Sequence, residues 1–341
     1  MSGPSEPRVS IAMASYNGGR FIEAQLDSFA TQTRLPDEVV ICDDGSTDDT
    51  AAVVERFAAR APFPVHFHVN PKRLGYTRNF ERAILLCRGD IVFLSDQDDV
   101  WFADKLAAIC RRFEADPAAL VVVNDQIMTD GELRPGNATK LGNLRRLGQG
   151  SDGLIEGCCT AIRRQWAEIA LPLPDQPELI DAYLLSYDRW LNELAILLGI
   201  RRVEERPLQL FRRHGGNVTG WVVSEPRTVG LQDLIAMRSP TVPVAAWQSR
   251  IALLDVYTEW LGANRPKLER QGITGVDRAL AAIDHERASL AARTSLTRMA
   301  LPRRIPRIAA LLGRGGYRYF HGWKSALRDI VRADRSEDAA M

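Results

Sequence analysis

Three carboxylates, Asp96, Asp98 and Asp99, fall within four positions at the end of an apolar run, in "FLSDQDDVWF" (93–102). Like charges this close repel, and they are costly to desolvate unless something compensates them. One reading is a solvated turn that caps the next helix. The other is a divalent cation, Mg2+ or Mn2+, which prefers carboxylate oxygen and bridges one or two carboxylates to a substrate phosphate. An EF-hand loop is excluded, because the Gly at loop position six and the Glu at position twelve are missing.

A second acidic pair, Asp43 and Asp44, ends the run in "EVVICDDGSTDDT" (38–50). Helix capping explains Ser46, Thr47 and Asp48. It does not explain the two acids one step earlier, where a carboxylate can accept from a pyrimidine N3–H. Two further residues could do chemistry. Asp188, in "SYDRWL", is a helix cap or a general base. His214, in "RRHGGN", is a turn histidine or a ligand. The five cysteines show no CxxC spacing, and Cys42, Cys87 and Cys110 sit in apolar stretches as small core residues. Adjacent Cys158 and Cys159 read as packing, since neighbouring cysteines seldom form a relaxed bridge.

The elements that must position these residues alternate strand and helix over the first 125 residues. Strand-like runs lie at 9–15, 38–44, 64–69, 90–96 and 119–125, with helical patterns at 19–31, 48–60, 76–87 and 102–115. The strand runs are near-continuously apolar, as expected for a sheet covered on both faces. This order predicts an α/β fold with a doubly wound, mostly parallel, Rossmann-like sheet. Ligands of such sheets bind beyond the carboxyl ends of the strands, where the three polar clusters "SYN", "DDGSTDD" and "SDQDD" must converge. Residues 126–152 read as a Gly-rich loop and 185–199 as a helix. "IRRVEE" and "PLQLFRRHGGN" read as two short strands. Beyond Glu225 the pattern turns helical, so domains are expected at 1–224 and 225–341.

Formal net charge is only +1, which excludes a nucleic-acid binder by bulk electrostatics. From Arg293 to Arg332, however, ten Lys or Arg stand against one acid, Asp329. This basic tail, with Tyr317, Tyr319, Phe320 and Trp323 interleaved, fits an interfacial membrane segment better than a plain solvated face. No signal-peptide h-region opens the chain, and no uninterrupted apolar stretch could span a bilayer. A cytoplasmic protein is expected, soluble or peripheral on the inner face of the plasma membrane.

Four segments, "VSIAMASYNGGRFIEAQLDSFATQT", "DEVVICDDGSTDDT", "NPKRLGYTRNFERAI" and "DIVFLSDQDDVWFADKL", resemble the inverting family 2 glycosyltransferases of GT-A fold. The later "YDRWLNELAILLGIRRVEERPLQLFRRHGGNVTGW" is similar to their rhamnosyltransferase-like branch. The resemblance runs in order over about residues 8–221. It implies a nucleotide-sugar donor bound by the backbone at Ala14, the Tyr16 ring, Asp44, Arg78 and Asp96. It further implies a Mg2+ or Mn2+ ion on Asp98 and His214, with Asp99 capping the helix beginning near Trp101. Asp188 is implied as the catalytic base, and Gly157 and Cys158 as neighbours of the acceptor or sugar. The family more often has His-Asp where this chain has Tyr187–Asp188. The implied donor is dTDP-rhamnose or a UDP-sugar, and the acceptor a saccharide or glycolipid of cell-surface polysaccharide synthesis. A dinucleotide oxidoreductase fits the βαβ order but lacks GxGxxG after the first strand. A saccharide-binding protein without turnover stays open.

Overall fold

The computed structural model describes residues 6–181, 184–215, 244–320 and 322–331. The chain divides into two units, one of 1–146, 150–176 and 185–225, the other of 147–149, 177–184 and 226–341. The domain boundary expected at 224/225 lies outside the described residues.

In the first unit the apolar runs become β1 (Val9–Ser15), β2 (Glu38–Asp43), β3 (Val65–Val69) and β4 (Ile91–Ser95), which pair parallel in the order β3-β2-β1-β4. Between them run α1 (Ile22–Ala30), α2 (Thr50–Ala58) and α3 (Tyr76–Leu86). β1, β2 and β4 are fully buried except at Ala14, as the unbroken Val and Ile content requires of a covered sheet. Val9, Ile11 and Met13 of β1 pack with Val39 and Ile41 of β2, and with Leu26 and Phe29 of α1.

The sheet continues through β5 (Val100–Trp101), β6 (Val121–Thr129), β7 (Pro135–Thr139), β8 (Thr160–Arg163) and β9 (Arg201–Arg212). Its full order is β3-β2-β1-β4-β8-β6-β9-β5, with β7 on the side of β6. β5, β7 and β8 run against the other six strands, so the sheet is mixed but mostly parallel. The helices of this half are α4 (Lys105–Ala115), α5 (Lys140–Arg146), α6 (Arg164–Ala170) and α8 (Tyr187–Leu198), while α7 (Pro177–Asp181) belongs to the second unit.

Two expectations are corrected here. Residues 126–152 are not a loop throughout: β6 runs on to Thr129, and β7 and α5 follow. The two short strands are one, β9, because its bend is absorbed by an irregular register against β6 between Asn124 and Ile127. A glycine-rich stretch hides strand pairing that only tertiary context supplies.

The second unit contains α9 (Val244–Arg270), α10 (Val276–Thr297), α11 (Leu301–Gly313) and α12 (Trp323–Val331). Among the described residues no helix is long and apolar enough to cross a membrane. Arg293 and Asp329 join α10 to α12 by a bidentate pair of 2.7 and 2.9 Å, with both side chains buried. Tyr317 donates its hydroxyl to the same carboxylate at 2.9 Å, and Trp247 and Phe320 lie 4.5 and 4.1 Å from the Arg293 guanidinium. Tyr317 and Phe320 therefore build the core of this unit with Leu296, Ile308 and Ala326, and are not free to enter a membrane. Tyr319 is likewise engaged, donating to Ala282 O and touching His285. Of the four aromatics singled out in the tail, only Trp323 is strongly exposed.

Removing one partner of a buried pair leaves an uncompensated charge. Asp329→Ala should therefore destabilise the second unit by about 3–5 kcal/mol. Urea unfolding followed by tryptophan fluorescence checks this, and a loss below about 1 kcal/mol, the value of an exposed pair, would contradict it.

Candidate functional site

β1 lies between β2 and β4, so three strands end side by side. Ser15 stands opposite Asp43, and Met13 opposite Ser95. The polar clusters that follow are thereby assembled at one edge of the sheet.

The second cluster is organised by its acids. Asp43, buried, accepts from Ser15 Oγ at 2.8 Å, Ser46 N at 2.7 Å and Gly45 N at 3.1 Å, which fixes the turn. Asp44, also buried, accepts at Oδ1 from Leu74 N (2.6 Å) and Asn70 Nδ2 (2.9 Å), and at Oδ2 from Gly75 N (2.8 Å). A carboxylate has about four acceptor positions, so Oδ2 retains room for one more donor. By clamping 70–75, Asp44 also places Arg73, whose guanidinium lies 4.0 Å from the Tyr16 ring centroid. Tyr16 is 38% exposed, and Gln97 holds its backbone by accepting from Tyr16 N (2.9 Å) and donating to Tyr16 O (3.0 Å). Ala14, the penultimate residue of β1, pairs with Cys42. Arg78 is placed differently. Its guanidinium binds Glu81 (2.8 Å) and the carbonyls of Leu173 and Pro174 (3.2 Å each), so it ties α3 to the 173–175 segment.

The acidic turn 96–99 meets β9. Pairing of Val100 with Leu210 and of Trp101 with Gln209 lays the end of β9 along the turn. Asp99, fully buried, accepts from Gln209 Nε2 (3.0 Å) and from Arg212 N (3.1 Å). Arg212 Nε donates to Asp98 O at 2.8 Å. Asp99 is thus no helix cap: α4 begins only at Lys105, and Asp99 instead fastens the turn to β9. Two residues beyond β9, His214 Nε2 lies 2.9 Å from Asp98 Oδ2, against the Phe21 ring (4.5 Å between centroids). Adjacent ligands of an octahedral ion with bonds of ~2.1 Å stand about 3 Å apart, so the Asp98–His214 pair has the spacing and donor types such an ion takes.

A second grouping, Asp96, Asp99 and Cys158, brings one ligand atom from each within 4.8 Å of the others. It suits a hard cation less well. Both Asp99 oxygens already accept protein donors, and the hydrogen bond with neighbouring Cys159, followed by burial, pushes the Cys158 thiol well up, away from thiolate. Both thiols point to Gln126 Oε1, at 2.9 Å for Cys159 and 3.6 Å for Cys158. They serve packing and hydrogen bonding.

Asp188 stands in the first turn of α8. Burial raises its pKa, while the Ser186 hydroxyl and the Arg189 N–H (2.8 Å) hold it back. Its charge is felt at Asp96, whose own pKa burial and Asp98 drive well above the ordinary value. Tyr187 stacks on Phe80 with centroids 4.0 Å apart. A Cβ on Gly157 would lie 1.9 Å from the Tyr187 hydroxyl, so the close approach that demands glycine is made by Tyr187.

Residues 10–169 match the family described as "Glycosyl transferase family 2", just under half of the chain. Residues 10–169 are a family 2 glycosyl transferase domain. The chain is similar to an uncharacterized protein of Mycobacterium tuberculosis, with 37% identity over 94 residues, 27% of each chain. It is also similar to a dTDP-rhamnosyl transferase of Shigella flexneri, with 37% identity over 98 residues, 28% of this chain and 34% of the relative. The chain thus spans about a quarter to a third of the length of these relatives. Among solved structures, S. aureus TarS 1–349 in complex with UDP-GlcNAc superposes with a TM-score of 0.53 at 16% identity, covering 95% of this chain and 88% of that one. This likeness establishes the fold, which is of GT-A type.

Within the family 2 domain the sequence reading missed Gln97, Lys105 and Gln126, and beyond it Gln209. Lys105, 1% exposed, donates to Cys158 O at 2.9 Å and to Gln209 Oε1, with its Nζ 3.8 Å from the Trp101 ring centroid. Desolvation lowers its pKa to about 8. The signal was available: a Lys on the inward side of an amphipathic helix, and a Gln inside an apolar strand, both call for buried partners.

Burial, and then Asp98, push the Asp99 pKa up to about 7, against about 3.9 in the unfolded chain. The folded state therefore binds the proton more tightly. That contribution is full below about pH 4 and is lost as pH rises to about 7, after which it is flat. The melting temperature of the metal-free protein minus that of Asp99→Asn should fall over this window. A difference that is constant from pH 4.5 to 8, measured by calorimetry, would contradict the assignment.

Proposed function

We propose that the protein is an inverting glycosyltransferase that moves a sugar from a nucleoside-diphosphate donor to a saccharide or lipid-linked saccharide, in cell-surface polysaccharide synthesis. The observation that carries this reading is that Asp96, the Asp98–His214 pair and Asp188 lie together, beside the strand end that carries Asp44, with Asp44, Asp96 and Asp98 in the family 2 domain and Asp188 and His214 brought in from beyond it. Tyr16 and Asp44 would hold the nucleotide base, the ring by stacking and Oδ2 by accepting its N–H. Asp98 and His214 would hold Mg2+ or Mn2+. When bound, the ion supplies positive charge against the departing diphosphate. Asp188 accepts the proton of the acceptor hydroxyl as that oxygen attacks the anomeric carbon. The bond to the donor phosphate breaks on the opposite face, which inverts the configuration. The Ser186 and Arg189 donors favour the ionised carboxylate and oppose the rise in pKa that burial imposes.

dTDP-rhamnose is the favoured donor, because of the similarity to the Shigella flexneri dTDP-rhamnosyl transferase and to rhamnosyltransferase-like sequences around Asp188 and His214. UDP-hexoses are the alternative. A membrane-resident acceptor would suit the basic helices of the second unit.

Asp188→Asn keeps shape and can still cap α8, but cannot take the proton. It should retain donor affinity and lower kcat by at least about 10²-fold, the lower end for general acid–base catalysis. The assay is transfer and hydrolysis of dTDP-rhamnose and UDP-hexoses with Mn2+. Unchanged kcat would remove Asp188 from the mechanism, and no turnover of any donor by the wild type would favour a saccharide-binding protein.

A further inference from the structure

α11 carries its charge in an unusual place. At ~100° per residue, Leu301, Ile305 and Leu312 fall within about 40° of arc, and all three are exposed. Pro306, Ala309 and Ala310, also exposed, widen the arc to about half the circumference, with no polar side chain interrupting it. Arg303, Arg307 and Arg314 line one border of this arc, all exposed. The other border is the core side, where Arg304 and Ile308 are buried. A solvent-facing helical surface ordinarily carries charged residues, and an apolar exposed face marks contact with something.

α12 repeats the pattern. Trp323 and Leu327, one turn apart, are 56% and 38% exposed, with Lys324 and Arg328 beside them. The only acid from 301 to 331 is Asp329, and it is buried against Arg293. The surface of these two helices therefore offers apolar side chains and positive charge, with no negative charge.

We propose that α11 and α12 dock on an anionic lipid bilayer, with Leu301, Ile305, Leu312 and Trp323 entering the interface while the bordering arginines meet the headgroups. A second protein could cover apolar residues, but an unbroken cationic border with no acid is complementary to an anionic sheet. Arginine stems lie along apolar surface while their heads reach outward, and tryptophan suits the headgroup level. Basic residues near an anionic surface add their attractions, and Arg303, Arg307, Arg314, Lys324 and Arg328 together make a cluster of the size that attaches reversibly to anionic lipid. The inference deepens the proposed function, since it would bring a lipid-linked acceptor to the site, but it stands on the helices alone.

The test is co-sedimentation of the full chain with vesicles of phosphatidylcholine, or of phosphatidylcholine with phosphatidylglycerol. The wild type should pellet with the mixed vesicles and be released by high salt, which screens exposed charge. Ile305→Asp with Leu312→Asp, and Arg303→Gln with Arg307→Gln and Arg314→Gln, should each lower partitioning about 10-fold or more. These positions are exposed, so circular dichroism melts should be unchanged. If a variant does not fold, the lipid and salt dependence of the wild type decides. Pelleting with neither vesicle, equal pelleting with both, or a wild-type dimer that the aspartates dissolve would overturn the docking. Donor hydrolysis in solution needs no vesicle. Its failure would reject the transferase reading alone, and lost vesicle binding with hydrolysis intact would reject the docking alone.

Discussion

The structure depends on how the crowded carboxylates at the end of β4 are compensated. Asp99 is hydrogen-bonded from within, by donors that β9 brings: the Gln209 side chain and the Arg212 backbone. Lys105 completes that arrangement from α4 by holding Gln209 and the carbonyl of Cys158. The same pairing that satisfies Asp99 carries His214 to Asp98. A buried structural need and the Asp98–His214 contact are thus met by one strand. Asp96 is left with a strongly raised pKa, facing Asp98 and Asp188. Such a cluster of repelling acids is poised to receive positive charge.

Asp44 plays a comparable double part. Three protein donors use it to hold 70–75 in place, which sets Arg73 over Tyr16 and leaves one acceptor position on Oδ2. A residue read only as a base ligand thus also organises the loop beside Tyr16. Arg78 shows the opposite outcome. Its guanidinium is engaged by Glu81 and by carbonyls on the 173–175 segment, so it holds α3 to that segment.

The strand–helix alternation up to Val123 was legible because continuous Val and Ile runs have few other uses. The convergence of "SYN", "DDGSTDD" and "SDQDD" followed from parallel pairing alone. What stayed hidden depends on partners distant in sequence. The extension of β6 and the unity of β9 arise from their mutual pairing, which neither segment announces. Gln209 and Lys105 are separated by over a hundred residues and look like isolated misfits until β9 lies against the turn. In the tail the pattern of aromatics beside arginines was visible, but not which of them faced inward. Tyr317 went to the core through Asp329, whereas Leu301, Ile305 and Leu312, unremarked in the sequence, stayed outside.

The central claim is that Asp98 and His214 together complete a cation and diphosphate site on this strand edge. Isothermal titration of dTDP into the wild type, Asp98→Ala and His214→Ala, each with Mn2+ and with EDTA, tests it directly. Binding to the wild type should require Mn2+ and be lost in both variants, with circular dichroism unchanged. Equal dTDP affinity in Mn2+ and EDTA, or full metal-dependent binding by either variant, would contradict the account.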